Sequence, residues 1–160
     1  MRDNPFVLIK LLWRARRPSC VADMPALRNT FWLRRGYDAL TFFGTIITAT
    51  DEDAQEMAGG AAGRRFSELK NHEMIHLRQA QSTGDSWWRF YGLYLWYWLR
   101  ALPLNRVLPG AAYRLNPFEI EAYAHMSDPH YLDSCPDGAQ EWRRWAAIKP
   151  RERLKILVNK

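Results

Sequence analysis

The sequence predicts a helix-dominant α+β fold in one domain spanning residues 1–160, and three observations carry that reading. Helix-starting signals recur along the chain. Only one stretch is rich in β-branched and aromatic residues. No internal repeat and no domain boundary divides the chain, and its length suits a single core.

Taken in order, Asn4-Pro5 is an N-cap followed by proline at the first helical position, and it opens a helix to about Arg16. Arg17-Pro18 closes that helix and a loop containing Pro25 follows. From Tyr37 to Thr50 the run Leu40, Thr41, Phe42, Phe43, Thr45, Ile46, Ile47, Thr48 reads as strand, with Gly44 as the bend of a hairpin. Residues 51–63 are acidic, then Gly- and Ala-rich, and read as a connector. Ser67 caps a helix that stops near Gly84, and Ser86 caps another from Trp87 to about Ala101, ended by Pro103. Asn116-Pro117 repeats the first signature and opens a helix through Tyr123. Asp137 with Gln140 three residues on resembles a capping box for a helix through Trp142 and Trp145, which Pro150 ends. The tail from Arg151 is amphipathic and short.

Composition excludes several classes. The hydrophobic share of 48% against 25% charged residues is that of a packed protein, not of a disordered one. A net charge of +6 invites acidic partners, yet the basic residues fall in scattered pairs such as Arg16-Arg17 and Arg64-Arg65. With no stacking module visible, this argues against nucleic acid as the partner. The 2 cysteines, Cys20 and Cys135, lack any CxxC spacing and read as ordinary thiols. Neither Phe6–Ile9 nor Trp87–Leu99 is long enough to cross a bilayer, and no secretory signal is seen, so the expected location is cytoplasmic.

Chemistry concentrates in Asn71-His72-Glu73-Met74-Ile75-His76-Leu77, which contains HExxH. Residues four apart on a helix stand about 40° from each other around the axis, so the two imidazoles project side by side. Such a pair suits Zn2+. Glu73 reaches toward a water activated by the metal, whose proton it can accept. Leu69, Met74, Ile75, Leu77 and Ala80 make the same helix apolar, and buried polar groups need partners; one divalent cation satisfies all three. The competing readings are a chance HExxH on a solvated face and half of a di-iron ExxH site, whose second half the sequence lacks. A catalytic zinc needs a third protein ligand. The carboxylates on offer are Glu119 and Glu121, about 200° apart on one helix, so both cannot face one ion. Geometry alone does not choose between them, and Glu119 at N3 also suits a capping box closed on Asn116. His125 and His130 are further, weaker candidates.

Across residues 68 to 125 this pattern resembles the gluzincin metallopeptidases, in particular their small minigluzincin-like members. The resemblance implies a zincin-like domain with a short strand or hairpin beside the metal-binding helix. It assigns His72, His76 and Glu119 as metal ligands, leaving Glu121 as the alternative third ligand, and Glu73 as the base. Tyr123 falls where the longer motif has Asp or Asn, and is the candidate for a supporting role behind the ligands. The expected activity is hydrolysis of a peptide or protein substrate. The alternatives are a non-catalytic metal-binding domain or a membrane-peripheral interaction domain that retains the zinc site.

Two further features remain. Trp87, Trp88, Phe90, Tyr91, Tyr94, Trp96, Tyr97 and Trp98 surround one helix, as core packing, as a cleft wall or as a belt for peripheral membrane contact between Arg89 and Arg100. The Leu40–Thr48 strand, if it is an edge, can pair with an extended peptide over the metal, and Tyr113 or Tyr123 can donate to an oxyanion there. Substrate and oligomeric state have no signature in the sequence.

Overall fold

The computed structural model describes residues 17–22, 24, 26–28, 39–50 and 67–158. The helix expected over residues 4–16 and the connector expected over 51–63 lie outside the described residues, as do residues 37 and 38 of the strand region.

A small sheet and a set of helices make an α+β fold in which helix dominates. The strands are β1 (Ala26–Arg28), β2 (Ala39–Phe42) and β3 (Thr45–Thr48), in the order β1-β3-β2. The expected hairpin is β2 and β3, antiparallel, with Leu40 opposite Ile47 and Thr41 opposite Ile46. Its two-residue connection, Phe43-Gly44, has φ of +46° and +80°. Two positive φ values match the twist of the flanking strands, and glycine adopts one at no steric cost. Phe43 is held in its left-handed conformation by its neighbours: its ring lies 4.8 Å from that of Tyr91, and its N–H donates to the Tyr91 hydroxyl at 2.9 Å. Parallel pairing of β1 with β3, Ala26 opposite Ile46, was not anticipated. Three residues whose partner lies far along the chain carry no local pattern. All four residues of the central β3 are buried, as a strand flanked on both sides requires.

The helices are α1 (Glu68–Ser82), α2 (Trp87–Ala101), α3 (Ala111–Arg114), α4 (Pro117–His125), α5 (Trp142–Ala147) and α6 (Pro150–Val158). Three expected caps are in place. Ser67 accepts from the Lys70 N–H, Ser86 from Arg89 and Asn116 from Phe118. Two expectations are corrected. Asp137 caps nothing, because α5 begins only at Trp142 and its leading N–H groups, those of Glu141 and Trp142, donate to the Glu121 carboxylate at 2.9 and 3.1 Å. Pro150 does not merely end a helix; it opens α6, which seats a buried Arg153 donating to the Leu115 carbonyl.

The main core is aromatic. Phe90 on α2, Phe118 on α4 and Trp142 on α5 meet Leu77 and Ala80 of α1 and Ile46 of β3. Phe118 anchors it, 4.9 Å from the Phe90 ring and 4.6 Å from that of Trp142. The inward side of the aromatic helix therefore is core, as one reading of the sequence had it. Its outward side is exposed. Asn71 then ties α1 to the end of α4, its amide donating to the Met126 and Asp128 carbonyls at 2.9 Å each. The two helices that carry the candidate ligands are thus held together at one end by polar contacts and along their length by Phe118.

Candidate metal centre

His72 and His76 stand one turn apart on α1, with their rings edge to face at 4.8 Å between centroids. Their Nε2 atoms approach to 3.1 Å. Glu119, in the first turn of α4, completes the group: Oε2 lies 3.3 Å from His72 Nε2 and Oε1 3.4 Å from His76 Nε2. All three side chains are buried, and their ligand-type atoms lie within 4.8 Å of one another. Such a convergence of lone pairs is unfavourable in a protein interior unless a cation sits among them. Two ligands at zinc-like bond lengths in a tetrahedral array are separated by about 3.3–3.4 Å, close to what the two imidazoles show. Glu119 Oε2 has no hydrogen-bond partner, and an ion held by the group would satisfy it.

Burial lowers the His76 pKa, but the attraction of Glu119, a hydrogen bond to it and the Glu73 charge together outweigh burial and lift it to about 9. Burial pushes Glu119 up, and the two histidines overcome that and hold its carboxyl well below the usual carboxylate range. Tyr94 donates its hydroxyl to Glu119 Oε1 at 2.7 Å. Burial, with Glu119 beside it, pushes Tyr94 far above the ordinary tyrosine value, so it stays a donor.

Glu121 goes elsewhere. Its carboxylate accepts from Gln79 Nε2 at 2.8 Å, from the Tyr131 hydroxyl at 2.6 Å and from the two N–H groups that start α5. It is a fully occupied buried anion facing away from the histidines. Nor does Glu119 close a capping box, for the Asn116 N–H donates to the Tyr113 carbonyl instead. Tyr123 packs its ring edge against His72, 4.6 Å between centroids, and its hydroxyl lies 3.2 Å from that of Tyr113. His125 stacks on Tyr131 and pairs with Glu141, while the exposed His130 pairs with Asp133; neither belongs to the group.

Three supporting residues escaped the sequence reading. Gln79 donates from Nε2 to both the Phe118 carbonyl and Glu121, so its Oε1 is the atom facing His76 Nδ1, at 2.8 Å. Neutral His76 must then carry its proton on Nδ1 and offer the Nε2 lone pair to the group. Thr41, on β2, donates to the Glu73 carboxylate and so fixes the carboxyl that stands beside the cluster. Tyr94 is the third. Gln79 sits three residues after His76, one helical turn on, and that spacing was the readable signal; Tyr94 is one tyrosine among many.

Two cavities meet over the cluster, sharing Ala39, His72, Glu73 and Tyr113. One, of about 590 Å³, extends toward Tyr123 and Arg114. The other, of about 300 Å³, runs between Leu40 and Thr41 of β2 and the rings of Phe90, Tyr91 and Tyr94. Fold and site together define a small helix-dominant α+β domain with a buried two-histidine, one-glutamate group that can hold a metal ion at the floor of a cleft. No family model, no curated protein and no solved structure matches the chain.

Proposed function

We propose that this chain is a zinc-dependent hydrolase acting on peptide bonds, a small gluzincin-like peptidase. The observation that carries the reading is the meeting of His72 Nε2, His76 Nε2 and both Glu119 oxygens within 3.4 Å across each adjacent pair, with Glu73 on the cleft wall beside them. Two neutral imidazoles and one carboxylate are the protein donor set of catalytic zinc sites that keep a position open for substrate. When bound there, zinc supplies a Lewis acid that makes water nucleophilic near neutral pH and polarises a carbonyl.

The chain's own residues supply the rest. Glu73, oriented by the Thr41 hydroxyl, accepts the proton of the attacking water and hands it to the departing amine. Tyr113 lines both cavities, and burial with Glu119 nearby raises its pKa above the ordinary tyrosine value, so its hydroxyl keeps a proton to donate to a developing oxyanion. The β2 edge opposite β3 has no strand partner among the described residues and runs along the smaller cavity. An extended peptide adding to that edge would lie across the histidines.

Zinc-loaded protein should bind one metal ion and cleave members of a mixed peptide library. Glu73→Gln should keep the metal and lose cleavage by roughly a factor of 100 to 10,000, the usual worth of a positioned base. His72→Ala should lose the metal. Absence of cleavage by the zinc-loaded wild type would reject the peptidase while leaving the metal site intact.

A further inference from the structure

The outward face of α2 is not explained by the cleft. Trp88, Leu95, Trp96 and Leu99 are 76%, 54%, 56% and 48% exposed, and Leu102 and Val107 continue the patch beyond the helix, Val107 at 72%. At about 100° per residue these helical positions form one stripe, with Gly92 in its middle and nothing within 4 Å of where its side chain would be. Large apolar side chains in contiguous exposure mark a surface that meets something other than water.

Charge indicates what that is. Between Asp85 and Glu119 the sequence has no acidic residue and four arginines, Arg89, Arg100, Arg106 and Arg114. Arg89, Arg100 and Arg106 are exposed, the first two at one border of the stripe, and the Arg100 guanidinium stands 5.8 Å over the Trp96 ring. A second copy of the chain is a poor occupant, because a two-fold pairing through this face sets the arginines against themselves with no carboxylate in the segment to meet them. The face is also the convex outside of a helix rather than a groove. Tryptophans and leucines bordered by arginines are the composition of helices that lie in the headgroup region of anionic membranes. No helix among the described residues is long and apolar enough to cross a membrane, so the helix would lie along the surface.

We propose that the outward face of α2 docks on an anionic lipid bilayer, with Trp88, Leu95, Trp96 and Leu99 at the acyl boundary and Arg89, Arg100 and Arg106 at the lipid phosphates. The contact stands independently of the metal and of any hydrolysis.

The test is co-sedimentation of the full chain with vesicles of phosphatidylcholine alone and with about a third phosphatidylserine, alongside tryptophan emission. Wild type should bind the anionic vesicles at least tenfold more tightly, with a blue-shifted emission and a loss of binding as salt rises, the direction expected for screened charges. The double variant Leu95→Ser, Trp96→Ser should release from both vesicles. Arg100→Glu with Arg106→Glu should lose the anionic preference by on the order of 25-fold or more, about fivefold for each arginine removed. All four positions are exposed, so both variants should stay folded, with thermal midpoints well above the assay temperature. The proposal is overturned by wild type that binds neither vesicle, by equal binding to both, or by binding that Leu95→Ser, Trp96→Ser leaves intact. A wild-type dimer in sedimentation velocity that this variant dissolves would equally overturn it, and assign the face to a second copy.

Discussion

Gln79 shows how a single side chain can set the chemistry of its neighbour without touching a substrate. Its amide is oriented by two acceptors, the Phe118 carbonyl and Glu121, and only then can its oxygen hold the His76 Nδ1 proton. Gln79→Leu removes that acceptor, frees the imidazole to adopt the other tautomer, and should weaken zinc binding by roughly 10- to 100-fold in a chelator competition. Unchanged affinity would mean that packing alone orients His76. The histidines and Glu73 were legible in the sequence because their relation is local: the helix fixes where each points once the helix is granted. Glu119 and Glu121 were not separable in that way. They are two residues apart and both buried, and which one meets the histidines depends on how α4 is rotated against α1. That rotation is set by Phe118 in the core, a contact no sequence period reports.

At the scale of elements, the site depends on a loop that presses closely on a helix. Gly138 has φ of +90°, and a Cβ there would stand 2.4 Å from the Arg78 carbonyl oxygen and 2.9 Å from the Ser82 nitrogen, both backbone atoms of α1. This close approach lets the chain pass over α1 and deliver the start of α5 to Glu121, which caps it from another helix. Gly138→Ala must shift backbone as well as adopt a left-handed conformation, and should cost about 2–4 kcal/mol in urea unfolding. A variant as stable as wild type would show that the loop has room to spare. The same comparison explains what was readable at this scale. Ser67, Ser86 and Asn116-Pro117 started their helices where expected because a cap and its helix are neighbours in sequence. The start of α5 and the pairing of β1 were hidden because their partners, Glu121 and β3, come from elsewhere in the chain. Pro150 was ambiguous by nature, since proline both ends one helix and begins the next.

For the whole molecule, the His72–His76–Glu119 group is a clasp between α1 and α4 that can hold a metal ion, and filling it should be felt in global stability and in how that stability depends on pH. In the metal-free protein His76 has a folded pKa of about 9 against an ordinary value of 6.5, while Glu119 stays ionised throughout this range. A raised folded value means that the protonated ring stabilises the metal-free fold fully below pH 6.5. That contribution is lost as pH rises toward 9, at about 1.4 kcal/mol for each pH unit. A metal ion displaces the same proton, so the loaded form does not share the loss, and loading becomes easier as the proton becomes easier to remove. The gap in thermal midpoint between zinc-loaded and chelator-treated protein should therefore widen from pH 6.5 to pH 8.5 at a fixed small excess of metal. The expected widening is roughly 5–10 °C, given about 2–4 °C per kcal/mol for a domain of this size. Near neutral pH, calorimetric titration in buffers of different ionisation enthalpy should register about one proton released per metal bound, because the ring still holds it there. A gap that stays constant across this range, with no proton released, would show that zinc and the His76 proton do not compete for the same lone pair, and with that the clasp would have to be placed on other atoms.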